Sequence, residues 1–278
     1  MKQTMIIAFF LLYLCHSALA FEFNSGTANG TGQALSLSSP TPATLLTAPS
    51  QGLARGAWRI ETGFTRLFDL RDLDQLFIAG VWRTKNLTSA FGFSQFGRSD
   101  LYSEKLAKLA LALQYRSFSF GVSGSFMALS FGHSYSGLHA ATCGLSAAWH
   151  RESFYAAIST DNLTTPHFDP FSPGVMPKYV AYLEYKRASW STLGRITLEQ
   201  AQKPQFAIGQ RVTLRQGSAL MWGLSTSPLQ FGGGVDLRVS SGTIGYTVAY
   251  HPVLGMTQTI SVSYGSSNTV RGNDDDFK

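Results

Sequence analysis

Phe231-Gly232-Gly233-Gly234-Val235-Asp236-Leu237-Arg238-Val239 is the stretch that decides the fold. Phe231, Gly233, Val235, Leu237 and Val239 stand against Gly232, Gly234, Asp236 and Arg238. The same alternation follows at once. Ile244, Tyr246, Val248 and Tyr250 oppose Gly245, Thr247, Ala249 and His251, and Ile260, Val262 and Tyr264 oppose Thr259, Ser261 and Ser263. A period of two means strands with two chemically different faces. One face is fatty and aromatic, the other small, hydroxylic and occasionally charged. That is the pattern of a barrel with lipid outside and water inside.

Composition agrees. Charged residues make up 14% of the 278-residue chain and hydrophobic residues 44%, against roughly 25% charged in an ordinary soluble domain. A soluble β-sandwich coats its outer faces with Lys, Glu and Asp, and this chain has too few for long strands. The formal charge is +6, but Lys and Arg are scattered, without a run or an aromatic-interleaved patch. Nucleic acid is therefore not an expected partner.

Residues 1–20 read as a signal peptide: Lys2, an apolar run from Met5 to Cys15, then Ala18-Leu19-Ala20 as a small-x-small cleavage site before Phe21. Leu14 stands where a lipoprotein box needs a small residue. Cleavage after Ala20 leaves Cys143 as the one cysteine, so no intramolecular disulfide is expected. No second apolar run reaches the ~20 residues of a spanning helix. An exported chain without a helix anchor either floats free or spans as a barrel.

Residues 21–56, rich in Gly, Ser, Thr, Ala and Pro, read as an irregular plug-like N-terminal segment with a short helix near Pro42 to Leu46. Residues 57–265 read as a transmembrane antiparallel β-barrel and 266–278 as a flexible polar tail. Within the barrel about fourteen segments of ~9–12 residues are expected, the length of a tilted spanning strand. Segments 87–96 and 153–162 are ambiguous, which leaves twelve open. Thr164 to Pro177 is the longest irregular piece, an extracellular loop or inward-folded constriction. Tyr102, Tyr115, Trp149, Tyr179, Tyr185, Trp190, Trp222, Tyr246, Tyr250 and Tyr264 mostly fall at strand ends, as an interfacial girdle would; a soluble sheet core would also use them.

Few residues invite chemistry. Gly132-His133-Ser134-Tyr135-Ser136 has a His beside a Ser, but no orienting Asn follows, and a solvated loop is expected. No His pair has metal spacing, and Asp274-Asp275-Asp276 reads as a frayed terminus. Gly232-Gly233-Gly234 lacks the Lys and helix of a phosphate loop; glycine there allows strand bending or close backbone approach. No catalytic residue, metal or cofactor is expected, and the chain reads as a non-enzyme. Alternation turns one charged set inward: Arg59, Glu61, Lys108, Arg116, Glu184, Lys186, Arg195, Glu199, Arg211, Arg215, Asp236 and Arg238. These charges either pair across the lumen, hold the N-terminal segment, or tune a pore.

Four places carry a family resemblance. They are Ala48-Pro49-Ser50-Gln51-Gly52-Leu53-Ala54, Tyr155 to Leu163 ending Asp161-Asn162-Leu163, Pro228-Leu229-Gln230-Phe231-Gly232-Gly233-Gly234, and Tyr250-His251-Pro252-Val253-Leu254-Gly255-Met256-Thr257-Gln258. In order and spacing they resemble the PorV/PorQ group of outer-membrane barrels, itself similar to the long-chain fatty-acid transporter fold. Ala48 departs from that group's signature Asn, and no terminal aromatic closes the chain. The resemblance implies a fourteen-stranded barrel with an N-terminal plug-like segment. It also implies a role in type IX protein secretion at the cell surface or in passage of hydrophobic molecules.

The sequence thus leads to a bacterial outer-membrane barrel, PorV/PorQ-like and secretion-associated. Its expected partners are outer-membrane lipid and either secretion-system proteins or a hydrophobic ligand. A transporter for hydrophobic solutes is the second reading and a soluble exported β-protein binding a partner the third.

Overall fold

The computed structural model describes residues 21, 23, 25–51, 57–98, 100–132, 137–169, 174–200, 202–214 and 217–266. Residues 1–20, expected to be a signal peptide, the His133–Ser136 stretch, Arg215 and nearly all of the expected polar tail lie outside the described residues.

Two short helices come first, α1 (Gly26–Gly30) and α2 (Pro42–Thr47). Fourteen strands follow: β1 (Trp58–Arg66), β2 (Asp74–Thr84), β3 (Leu87–Arg98), β4 (Tyr102–Tyr115), β5 (Phe118–Phe131), β6 (Leu138–Arg151) and β7 (Phe154–Asp161), then β8 (Lys178–Arg187), β9 (Trp190–Glu199), β10 (Gln205–Thr213), β11 (Ala219–Ser225), β12 (Gln230–Val239), β13 (Gly242–His251) and β14 (Gly255–Gly265). Each pairs antiparallel with its sequence neighbour, and β1 closes on β14 with Glu61 opposite Ser263. The strand number is fourteen, not twelve. Closure is what a membrane demands, since an open edge would leave backbone groups unpaired in hydrocarbon.

The alternation sorts as the sequence orders it. On β12 Phe231, Leu237 and Val239 point out while Asp236 is buried; on β13 Ile244 and Tyr250 point out while Thr247 and Ala249 are buried. The outer surface is a belt of Leu, Ile, Val and aromatic side chains, among them Leu109, Leu111, Leu113, Ile158, Leu183 and Ile208. Such a belt in water would be an aggregation surface, and the soluble exported reading falls on it. Trp82, Tyr115, Phe118, Trp149, Phe154 and Trp190 are exposed on this outer face at the short-turn end, where aromatic rings sit at a bilayer interface.

The two ends of the barrel differ. At one end the connections are tight turns at 85–86, 116–117, 152–153, 188–189 and 240–241, and the barrel starts and finishes there at Trp58 and Gly265. At the other end they include 67–73, 132–137 and 162–177. Short periplasmic turns with longer extracellular loops are the rule for bacterial barrels, which orients the chain. Arg66 meets Asp74 at 2.9 Å, and Arg98 reaches Asp72 at 3.0 Å and Asp100 at 2.7 Å, tying the first two extracellular connections together.

The Tyr250–Gln258 stretch is the β13–β14 hairpin. His251 Nδ1 accepts the N–H groups of Val253 and Leu254 at 3.1 and 3.0 Å, so the histidine caps the turn. One sequence expectation is corrected here. Arg116 is not on the lumen wall: it occupies the β4–β5 turn at φ 52, exposed, with its guanidinium 5.4 Å from the centre of the Tyr115 ring. Continuing strand alternation through residue 117 turned it inward, but the chain already reverses there.

Candidate functional site

The inside of the barrel is occupied by the chain's own beginning. Residues 25–51 are buried or nearly so along their length, and they run around the inner wall, touching it strand after strand.

The first contact is steric. Gly209 of β10, Gly223 of β11 and Gly232 of β12 lie side by side in register. The Thr31-Gly32 turn sits on this row. A Cβ at Gly209 would stand 2.6 Å from the Thr31 carbonyl oxygen, one at Gly223 would run into the same carbonyl, and one at Gly232 into that of Asn29. Gly32 itself has φ 63, a conformation glycine adopts without Cβ strain. The close backbone approach expected of the Gly232-Gly233-Gly234 run is therefore made by Gly232. Beside it, Asn29 Nδ2 donates to Thr259 Oγ1 at 2.9 Å, and Asn29 Oδ1 accepts from Gln33 Nε2 at 2.7 Å.

The next contacts are charged. Arg195 donates to the Gln33 carbonyl at 3.2 Å and to Thr197 at 2.8 Å. Glu184, 2% exposed, accepts from Leu37 N at 2.6 Å, Ser38 N at 2.7 Å and Ser38 Oγ at 2.6 Å, with Ser36 Oγ at 3.4 Å. A carboxylate ringed by donors is a charge-assisted clamp, roughly twice as strong per bond as neutral pairs. Glu61 accepts from Ala43 N at 3.1 Å, in the first turn of α2, where orphan N–H groups and the helix dipole favour an anion. Thr41 and Thr44 close the same turn as a capping box. Further on, Ser50 N donates to Ser146 at 2.8 Å, and Ser119 donates to the Ser50 carbonyl.

The third set of contacts is apolar. Phe23, Leu45 and Leu46 pack against Phe77 and Val81 of β2, Leu106 of β4, Met127 of β5 and Ala140 of β6. Phe23 meets Phe77 edge-on at 6.4 Å. Phe168 and Val175, from the loop at 162–177, join the same cluster, and Phe21 stacks on Phe168 at 5.5 Å. These two residues thus turn toward the lumen.

The inward charges divide by task. Glu61, Glu184 and Arg195 hold the N-terminal segment. Arg211 and Asp236 pair with each other at 3.2 Å. Lys108 pairs with Asp161 at 2.6 Å, a partner the sequence reading passed over although Asp161 shares the inward face of β7 with Ala157 and Ser159. Glu199 lies opposite Lys178 across β8 and β9. Lys186 follows Tyr182 and Glu184 on the inward row, half-buried near the periplasmic turn; Arg59 precedes Glu61 on its row; the Arg238 side chain lies against Gly217. Glu104 and Lys178 are lumen residues missed in the sequence, though each falls on the inward parity of its strand.

A cavity of about 20 Å³ remains among Phe23, Ala28, Leu35, Thr44, Tyr182 and Arg195, room for a single water. Among the described residues no group of His, Cys, Asp and Glu is arranged to hold a metal.

A closed barrel with a lipid-facing belt belongs to the bacterial outer membrane, and this chain is an outer-membrane β-barrel. No protein-family model matches the sequence, and no curated protein matches it. Solved structures do. The chain is similar to the toluene transporter TodX of Pseudomonas putida, with a TM-score of 0.60 at 10% identity over 88% of this chain and 98% of that one. It is similar also to the toluene transporter TbuX of Ralstonia pickettii, with a TM-score of 0.62 at 8% identity over 89% and 98%. A TodX mutant described as a monoaromatic hydrocarbon channel gives 0.60 at 10% over 88% and 99%. At such identities the likeness is one of fold.

Proposed function

We propose that the protein is an outer-membrane channel for hydrophobic small molecules, closed at rest by residues 25–51. The observation that carries this reading is the apolar cluster in the lumen, the larger of two by which the segment meets the wall. Phe77, Leu106 and Met127 on the wall meet Phe23 and Leu46 of the segment, and Phe21 and Phe168 continue the cluster toward the extracellular mouth. A water-filled pore is lined with polar groups, whereas a contiguous apolar wall suits a solute that leaves water readily. That the barrels similar in fold are described as transporters of toluene and channels for monoaromatic hydrocarbons supports a small hydrocarbon as cargo. Residues 25–51 pack directly on this apolar wall, so passage along it requires the segment to shift. In this reading the barrel catalyses no reaction and needs no cofactor.

The test is uptake of labelled toluene by cells with an intact lipopolysaccharide layer. Uptake should be faster with the barrel than without it. It should fall in Leu106→Asp, provided that variant keeps its heat-modifiable migration. Equal uptake with and without the barrel would sink the proposal.

A PorV/PorQ-like part in type IX secretion is the second reading. What favours it is the closed lumen: Glu184 and Glu61 fix the segment so firmly that a purely structural surface anchor fits as well. Cross-linking in intact outer membranes that captures secretion components, with toluene uptake unchanged by the barrel, would decide for it.

A further inference from the structure

Glu104 stands on the inward face of β4, near the extracellular end of that strand, and is 6% exposed. Its carboxylate accepts from the Tyr102 hydroxyl at 2.6 Å and from the Phe21 nitrogen at 3.2 Å. A desolvated carboxylate is matched best by a cation with hydrogen bonds, and neither partner is cationic in an uninterrupted chain. The sequence supplies the missing charge. Ala18-Leu19-Ala20 is a small-x-small site immediately before Phe21. Hydrolysis of the Ala20–Phe21 peptide bond by water, catalysed by the leader peptidase of the export route, gives the hydroxyl to the Ala20 carboxyl group. The hydrogen goes to the Phe21 nitrogen, which at neutral pH takes up a further proton as an α-ammonium.

Two other features of Phe21 agree with that product. Its φ is 59, the left-handed region that is unfavourable for a bulky residue with a Cβ. This torsion exists only while the nitrogen is bonded to a preceding carbonyl carbon, so cleavage removes the strain. Its ring is already held against Phe168 at 5.5 Å, which fixes the nitrogen beside the carboxylate.

We propose that the Phe21 α-ammonium, created by cleavage after Ala20, is the buried ion partner of Glu104, so that leader removal completes the lumen. The inference is independent of what the barrel transports.

The full chain, expressed with its leader and purified folded from outer membranes, is the material for the test. Top-down mass spectrometry should find a mature chain beginning at Phe21; any other start overturns the proposal. The α-amine is then challenged with an amine-acylating reagent at neutral pH. Only the free amine reacts, so an ion pair of ordinary strength slows acylation about tenfold. The folded wild type should therefore react about tenfold more slowly than Glu104→Gln, which keeps the shape and loses the charge. Equal rates overturn the proposal. Should Glu104→Gln fail to fold, an alanine inserted between Ala20 and Phe21 serves instead. It moves the mature amine by ~3.5 Å and leaves Glu104 intact. Its folded form should react as fast as the heat-unfolded chain, and continued protection overturns the proposal.

Discussion

On β10, β11 and β12 the wall offers the N-terminal segment three glycines; on β2, β4 and β5 it offers Phe77, Leu106 and Met127. At the glycine row backbone meets backbone, and hydrogen bonds from Asn29 and Arg195 fix the height and turn of the chain. Such contacts are intolerant, because a single added methyl has nowhere to go. At the apolar side, side chains meet side chains. Leu, Met and Phe can repack around a vacancy or a guest. The segment is thus hung from one wall and leans on the other, and a solute that displaces it should work from the leaning side.

The contrast breaks most sharply at Gly223. In Gly223→Val the new side chain collides with the Thr31 carbonyl and with Gly32, at a cost of about 3 kcal/mol or more. Residues 25–51 should come off the wall and become open to protease, or the folded, heat-modifiable form should be lost. Gly233→Val, on the outward face of the neighbouring strand with ordinary contacts at 3.9 Å, should change stability by no more than about 0.5 kcal/mol. If the two variants behave alike, the glycine row is not a seat.

Second in size is Glu184→Ala. It strands the N–H groups of Leu37 and Ser38, for a loss of about 2–3 kcal/mol. Hydrogen exchange at those two amides is the direct measurement. Both should lose protection, with Glu184→Gln in between, since its carbonyl still accepts. Protection unchanged in Glu184→Ala would mean that the clamp does not hold the segment.

These latches show where sequence reading reaches its end. The strands were legible because alternation is a local property: every residue of β12 and β13 reports its face through its neighbours. So was the inward direction of Glu61, Glu184 and Arg195. Their tasks were not, since Glu184 meets Ser36–Ser38 across some 150 positions, and no short-range pattern encodes such a pairing. Gly209 and Gly223 were silent for the same reason. Each is the one glycine of its strand, and only the register of β10 on β11 on β12 lines them up with Gly232. Arg116 failed in the opposite way, because a local pattern was carried one residue past the end of β4, into the turn.

Leu46→Ala probes the leaning side. Leu46 is fully buried against Phe23 and Gly92, and its truncation should cost about 2 kcal/mol, the low end for a buried leucine because the cluster can collapse. If the apolar wall admits a hydrocarbon, this variant should win back stability when toluene is added, seen as a higher temperature for the loss of heat-modifiable migration. Gly223→Val should show no such recovery. Equal response of the two variants to toluene would erase the distinction between the walls.

The smallest effect belongs to Asn29→Ala. The loss of its bonds to Thr259 and Gln33 should cost about 1 kcal/mol, well short of expelling the segment, because the glycine row still defines where Thr31 and Gly32 can lie. The variant should therefore keep its protease resistance at room temperature and show the difference only on heating. It separates the two ways the hanging wall holds the segment. A large loss from Asn29→Ala would mean that hydrogen bonds, not shape, position the turn, and the glycines would then be merely permissive. A small loss beside a large one in Gly223→Val assigns the positioning to backbone fit.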